Sequence, residues 1–287
     1  MKNKTDESDP AAPETCTSCG AKLKGDYCRK CGEKKIVPER DFRLAKFLHQ
    51  TLWHFIHFDS KLLRTGGLLF SKPGFLTAEW TAGRRVAYMK PLQLFVVAGV
   101  LFYFFLPTTT AYFTSDRDLS NGYQARNFVL NTFHYDCGKA FAAKALLLQV
   151  DAETLSSRIT AEASQKSKTW LFLIIPFWGA MIYLFFKRNL PWLVPHLIFA
   201  LHGLTFYILL DLSLHAFFSI WGFANLGKYI LLLLLPIFSI YQGLAVRRFY
   251  GSSWPITILK TAGIVAGFIA LILLYRQIIT IWAIETA

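Results

Sequence analysis

Trp192–Ser219 reads WLVPHLIFALHGLTFYILLDLSLHAFFS, twenty-eight residues with one acid and no lysine or arginine. A helix rises ~1.5 Å per residue, so this stretch is long enough to cross a hydrocarbon core of ~30 Å. Lipid offers no hydrogen bonds, so the backbone of such a segment must satisfy itself as a helix. Four further blocks have the same character: Pro91–Phe113, Thr169–Phe186, Tyr229–Val246 and Ile256–Ala283. The expected fold is an all-α membrane protein with about five transmembrane helices. Pro91 suits a helix start, where an N–H is not needed, whereas Pro176 and Pro236 are places to look for kinks.

Composition agrees. Of the 287 residues, 54% are hydrophobic, and mean hydropathy is +0.36. That is more apolar surface than an ordinary soluble core requires. The formal charge of +13 is uneven: residues 1–90 hold 17 of the 31 Lys+Arg and 10 of the 18 Asp+Glu. A basic excess beside spans fits contact with anionic lipid headgroups, and no nucleic-acid-reading module accompanies it.

Basic residues in short loops set the expected orientation. Lys187 and Arg188 lie between the second and third blocks, and Arg247 and Arg248 between the fourth and fifth. With five spans the N-terminal region falls on the same side. This predicts a multi-pass protein of the cytoplasmic (inner) membrane, with a cytoplasmic N-terminus and an extracytoplasmic C-terminus. Residues 114–168, with 7 Lys+Arg against 6 Asp+Glu, form an extracytoplasmic loop long enough for one or two helices carrying Val129, Phe133, Phe141 and Leu148.

Residues 1–14 read as a disordered tail without the apolar run of a signal peptide. Residues 15–35 carry Cys16-Thr-Ser-Cys19-Gly20 and Cys28-Arg-Lys-Cys31-Gly32, two Cys-x-x-Cys knuckles eight residues apart. Four thiolates so paired can surround one tetrahedral ion, with each glycine allowing a tight turn. Zn2+ in a closed structural site is the expectation, its binding supplying most of the folding energy of so small a unit. Disulfides and a redox dithiol are the alternatives, disfavoured by a cytoplasmic setting and by the lack of a βα unit. Cys137 stands apart as an unpaired small hydrophobe.

Residues 36–90 alternate too often to span. Phe42, Ala45, Leu48, Leu52 and Phe55 recur at helical spacing, predicting an interfacial amphipathic collar on the cytoplasmic leaflet. Arg84, Arg85 and Lys90 are candidate headgroup contacts or positive anchors. His49, His54 and His57 near Asp59 read as interface residues rather than metal ligands.

Within the blocks, Asp211, His215 and Arg276 need partners, because a charge near the bilayer centre costs ~2.5–3.5 kcal/mol. Counting from the expected entry points places Asp211 and Arg276 at similar depth, predicting a salt bridge, with His215 one turn from Asp211. Such a cluster serves either as glue between helices or as a polar site in a transporter. His196 and His202 read as hydrogen-bonded packing residues, and Lys260 as a residue reaching for the interface.

The order CTSCG, DYCRKCGEKK, FDSKLLRT, LLFSKPG, GRRVAYMKP, then spans, resembles a bacterial membrane-protein family of unknown function with a zinc-ribbon-like N-terminal head. The resemblance covers roughly residues 16–106. It implies that Lys72-Pro73-Gly74 and Gly83–Tyr88 form a defined element, and it implies no activity. No H-E-x-x-H, G-x-S-x-G or phosphate-cradling loop occurs. The expected role is a non-enzymatic scaffold or partner-docking protein, with membrane lipids and a cytoplasmic protein at the knuckle as partners. The alternative is a small transporter or lipid-handling protein using Asp211, His215 and Arg276.

Overall fold

The computed structural model describes residues 15–36, 41, 61–105, 137–151, 153–155, 157–159, 161–163, 171–221 and 230–286. Among them no strand forms beyond two isolated bridges, Thr15 with Lys22 and Tyr27 with Lys34. The helices are α1 (Leu62–Ser71), α2 (Phe75–Thr81), α3 (Pro91–Phe105), α4 (Cys137–Leu148), α5 (Ile174–Phe186), α6 (Leu193–Ile220), α7 (Ile230–Tyr250) and α8 (Trp254–Thr286). The expectations for the tail 1–14, the amphipathic run Phe42–Phe55, the histidines at 49, 54 and 57, Val129 and Phe133 fall outside the described residues.

Among the described residues three helices are long and apolar enough to cross a membrane: α6 with 28 residues, Leu232–Tyr250 of α7 with 19, and α8 with 33. Two shorter apolar helices, α3 and α5, fall in the other two blocks; they run for 15 and 13 residues. Residues 106–113 and 169–170 of those blocks lie outside the described part. Pro176 sits in the first turn of α5, directly after a 3-10 turn at Leu171–Leu173, where its missing N–H costs little. Pro236 lies inside α7, which continues through it.

The contacts divide into two compact units, one of residues 1–97, 179–206 and 238–261, the other of 98–178, 207–237 and 262–287. In the first, α1 and α2 pack on α6 and α7. Phe70 meets Phe206 with ring centroids 5.1 Å apart, and Phe206 stacks on Tyr241 at 3.6 Å. The turn between α1 and α2 is held by Arg248, which donates to the Pro73 carbonyl at 2.9 Å. Gly74, at φ +75°, lies so close to α7 that a Cβ would stand 2.6 Å from the Ala245 oxygen. Both the positive φ and the crowding exclude any other residue there.

His196 and His202 are hydrogen-bonded in this unit. A carbonyl only accepts, so His196 Nε2–H donates to Leu190 O at 3.0 Å and Nδ1 accepts from the Tyr250 hydroxyl at 2.7 Å. His202 Nδ1 lies 2.8 Å from the Thr77 hydroxyl, tying α2 to α6. Lys260 donates to Phe185 O at 3.0 Å. These contacts bring the ends of α5 and α7 together with the starts of α6 and α8, so α6 and α8 run parallel.

In the second unit Trp178 is fully buried, its indole 4.6 Å from the Phe268 ring and its Nε1–H donating to Ile264 O at 3.3 Å. Tyr207 meets Phe268 edge-on at 5.2 Å. A satellite core joins Phe141, Leu155, Ile159 and Ala163 to Ile279, Ala283 and Ile284 of α8. The positions 155, 159 and 163 recur every fourth residue, one face of a helix whose start Asp151 caps through the Thr154 N–H at 3.0 Å. That cap holds the Asp151 carboxyl below its ordinary value, through the Thr154 hydroxyl first and its N–H second.

Candidate functional site

The two knuckles fold alike because each repeats the same local bonds. Cys16 N–H donates to Ala21 O and Gly20 N–H to Cys16 O; Cys28 N–H donates to Glu33 O and Gly32 N–H to Cys28 O, all at 2.8–2.9 Å. Gly20 and Gly32 turn the chain at φ +72° and +74°, the left-handed region a side chain resists. Each turn delivers two thiols to a common point. The four Sγ atoms of Cys16, Cys19, Cys28 and Cys31 all lie within 4.8 Å of one another, with Cys16 to Cys31 at 3.5 Å and Cys19 to Cys28 at 3.6 Å.

Tetrahedral thiolates about 2.3 Å from an ion are about 3.8 Å apart, so these residues fit a metal ion. The electrostatics point the same way. The N–H groups of Cys31 and Lys30 pull the Cys28 thiol down to about 6, whereas burial and the neighbouring thiols outweigh the Glu33 N–H and push Cys31 up to about 12. One ionised sulfur thus discourages the next. A cation at the centre removes that conflict, and no fifth position remains for a substrate.

Glu33, directly after the second knuckle, was not among the residues singled out from the sequence. It is 3% exposed, and its Oε2 accepts from the backbone N–H of Arg85 at 2.8 Å and of Val86 at 3.0 Å, and from the Ser18 hydroxyl at 3.0 Å. One carboxylate therefore joins both knuckles to a turn fifty residues on. Gly83, at φ +88°, makes room for this: a Cβ there would come within 3.1 Å of Ile36 Cδ1 and 3.2 Å of Thr17 Oγ1. The turn is tied back to α1 by Met89 N–H donating to Thr65 Oγ1 at 3.1 Å.

The two arginines of this turn are engaged within the chain. Arg84 forms a two-pronged pair with Glu79, through Nε at 2.7 Å and through Nη2, which keeps its guanidinium charged. Arg85 lies over the Trp80 ring at 3.4 Å and donates to Trp80 O at 3.0 Å. Burial draws Arg85 down to about 10, with Asp41 and Glu33 opposing. Burial also lowers Lys90. Asp41 in turn lies 3.6 Å from Lys34.

The intramembrane set is brought together only in part. Asp211 is 1% exposed, and its Oδ1 lies 3.3 Å from His215 Nδ1, which donates to the Asp211 carbonyl at 3.0 Å. The expected Asp211–Arg276 bridge does not form: among the described residues Arg276 makes no side-chain bond, and Asp211 Oδ2 has no partner. Register explains this. Tyr207 opposite Phe268 aligns the parallel helices α6 and α8. Asp211 then lies four residues beyond that contact and Arg276 eight, an offset of about 6 Å along the axis. Cys137 opens α4, and its side chain lies outside the described residues.

A family model described as a protein of unknown function (DUF3667) matches residues 59–103, the segment that contains α1, α2, the arginine turn and most of α3. No curated protein and no solved structure matches the chain.

Proposed function

We propose that this is a non-enzymatic integral membrane protein in which a structural zinc head, clasped to the membrane-proximal collar, presents a docking surface to a cytoplasmic partner. The observation that carries the reading is the Glu33 clasp. A metal site that served only to fold its own knuckles would not need a buried carboxylate binding two backbone donors 52 and 53 residues away. Zn2+, held by Cys16, Cys19, Cys28 and Cys31, would supply cross-linking rather than reactivity, since all four coordination positions are filled by thiolates. The five apolar blocks act as spans of the inner membrane, with the head and the pairs Lys187-Arg188 and Arg247-Arg248 on the cytoplasmic side. Exposed Leu63 and Phe70 on α1 supply the lipid contact of the collar.

The test is metal analysis joined to replacement of a ligand. Purified chain should carry one zinc per molecule, and Cys28→Ser should lose it while keeping its helical content. A chain with intact thiols and no zinc would remove the metal from the proposal. Labelling of intact cells settles orientation: a cysteine replacing Gly122 should react from outside and one replacing Arg248 should not.

A second reading, a small transporter or lipid-handling protein, draws on Asp211, a carboxylate buried in α6 with one oxygen unpartnered among the described residues. Asp211→Asn separates the two. Loss of function with an unchanged melting temperature supports transport; a lowered melting temperature, or no effect, supports helix packing.

A further inference from the structure

Along residues 140–148 of α4, the exposed side opposite Phe141 carries only apolar side chains, and Lys139 stands on that same side one turn earlier. Ala142, Ala143, Leu146 and Leu147 fall at i, i+1, i+4 and i+5, one side of the helix, and Leu146 and Leu147 are each 80% exposed. The opposite side is fixed in place. Phe141 enters the satellite core with Ile279, Ala283 and Ile284, and Lys144 Nζ donates to Ile284 O at 2.7 Å and Glu285 O at 2.8 Å. Those carbonyls belong to the last turn of α8, the electronegative end of that helix, so the ammonium is held where it is best placed.

The level of that turn follows from α8 itself. Lys260 and Trp282, residue types that favour the headgroup region, stand 22 residues apart, or about 33 Å, close to the ~30 Å of a hydrocarbon core. Carbonyls two and three residues past Trp282 therefore lie at the membrane boundary, and α4 is fastened to them. On the flank of α8 that faces outward, Ile278 is 55% exposed one turn before Trp282, and Leu273, 41% exposed, lies about 13 Å deeper than Trp282.

We propose that α4 is an in-plane interfacial helix at the C-terminal end of α8, with Ala142, Ala143, Leu146 and Leu147 inserted among lipid acyl chains. It rests on α8 crossing the bilayer. In this arrangement α4 adds a headgroup-level contact to the end of α8.

The experiment places single nitroxide labels on the zinc-loaded full chain carrying Cys137→Ala, reconstituted in phosphatidylcholine vesicles, and measures collisions with oxygen and with a water-soluble nickel chelate. Leu146→Cys and Leu147→Cys should favour oxygen several-fold over the exposed Glu153→Cys, and less strongly than Leu273→Cys. Nickel access at Leu146 equal to that at Glu153 overturns the proposal. So does exclusion of both reagents with spin–spin broadening, which would make the face a contact between two copies. If Leu273 also meets nickel, it is the span reading that fails.

Discussion

Replacing Glu33 by alanine leaves two backbone donors and a serine hydroxyl without their acceptor. The expected cost is about 1–3 kcal/mol per buried donor left unpaired, felt locally. Metal content should stay at the level of the unaltered chain because Glu33 is not among the four clustered thiols, while amide exchange at Arg85 and Val86 accelerates; slow exchange in the variant would show that the clasp is held by something else. Cys28 sets a pH dependence. Its folded value, about 6, lies below the ordinary 9.0, so the advantage of its thiolate is full above 9.0, shrinks on descent and is gone below about 6. Metal release on acidification should therefore steepen as pH falls through about 6, read by a zinc-sensitive dye. The cysteines were legible in sequence because each knuckle closes over five residues. Glu33 was not, since nothing within the head distinguishes an acid bound to Arg85 from a solvated one.

Among the elements, close approach makes the sharpest demands. Gly74→Ala sets a side chain at positive φ against the backbone of α7 and is expected to cost more than about 1 kcal/mol, seen as a lowered melting temperature in detergent. Gly179→Leu should act similarly between α5 and α6, where an added Cβ would come 3.1 Å from Leu197 Cα. Hydropathy revealed α6, α7 and α8 to within a few residues, because uninterrupted apolar sequence is the direct requirement of lipid. It did not reveal the relative register of α6 and α8. That depends on Tyr207 meeting Phe268, a contact between helices that residue counting from their entry points cannot supply, and the Asp211–Arg276 pairing failed on an offset of one turn. The cap that the Asp151 side chain makes to Thr154 was equally hidden, a short-range signal that block-level hydropathy averages away.

At the scale of the whole molecule, metal removal should separate two kinds of stability. The knuckles are too small to fold on apolar burial, whereas the long helices draw on lipid and on cores such as Trp178 with Phe268. A chelator should therefore open residues 15–36 to proteolysis and leave far-ultraviolet circular dichroism almost unchanged; parallel loss of helical signal would show that the bundle depends on the ion.

Glycine 74 has a mechanical corollary. Gly74 lets the turn before α2 seat directly on Ala245, Arg248 ties that turn to α7 through Pro73, and Glu33 pins the head to the turn that ends α2. A pull exerted on the head would travel through this chain of stiff joints into α7 as through a lever, rather than being absorbed as slack.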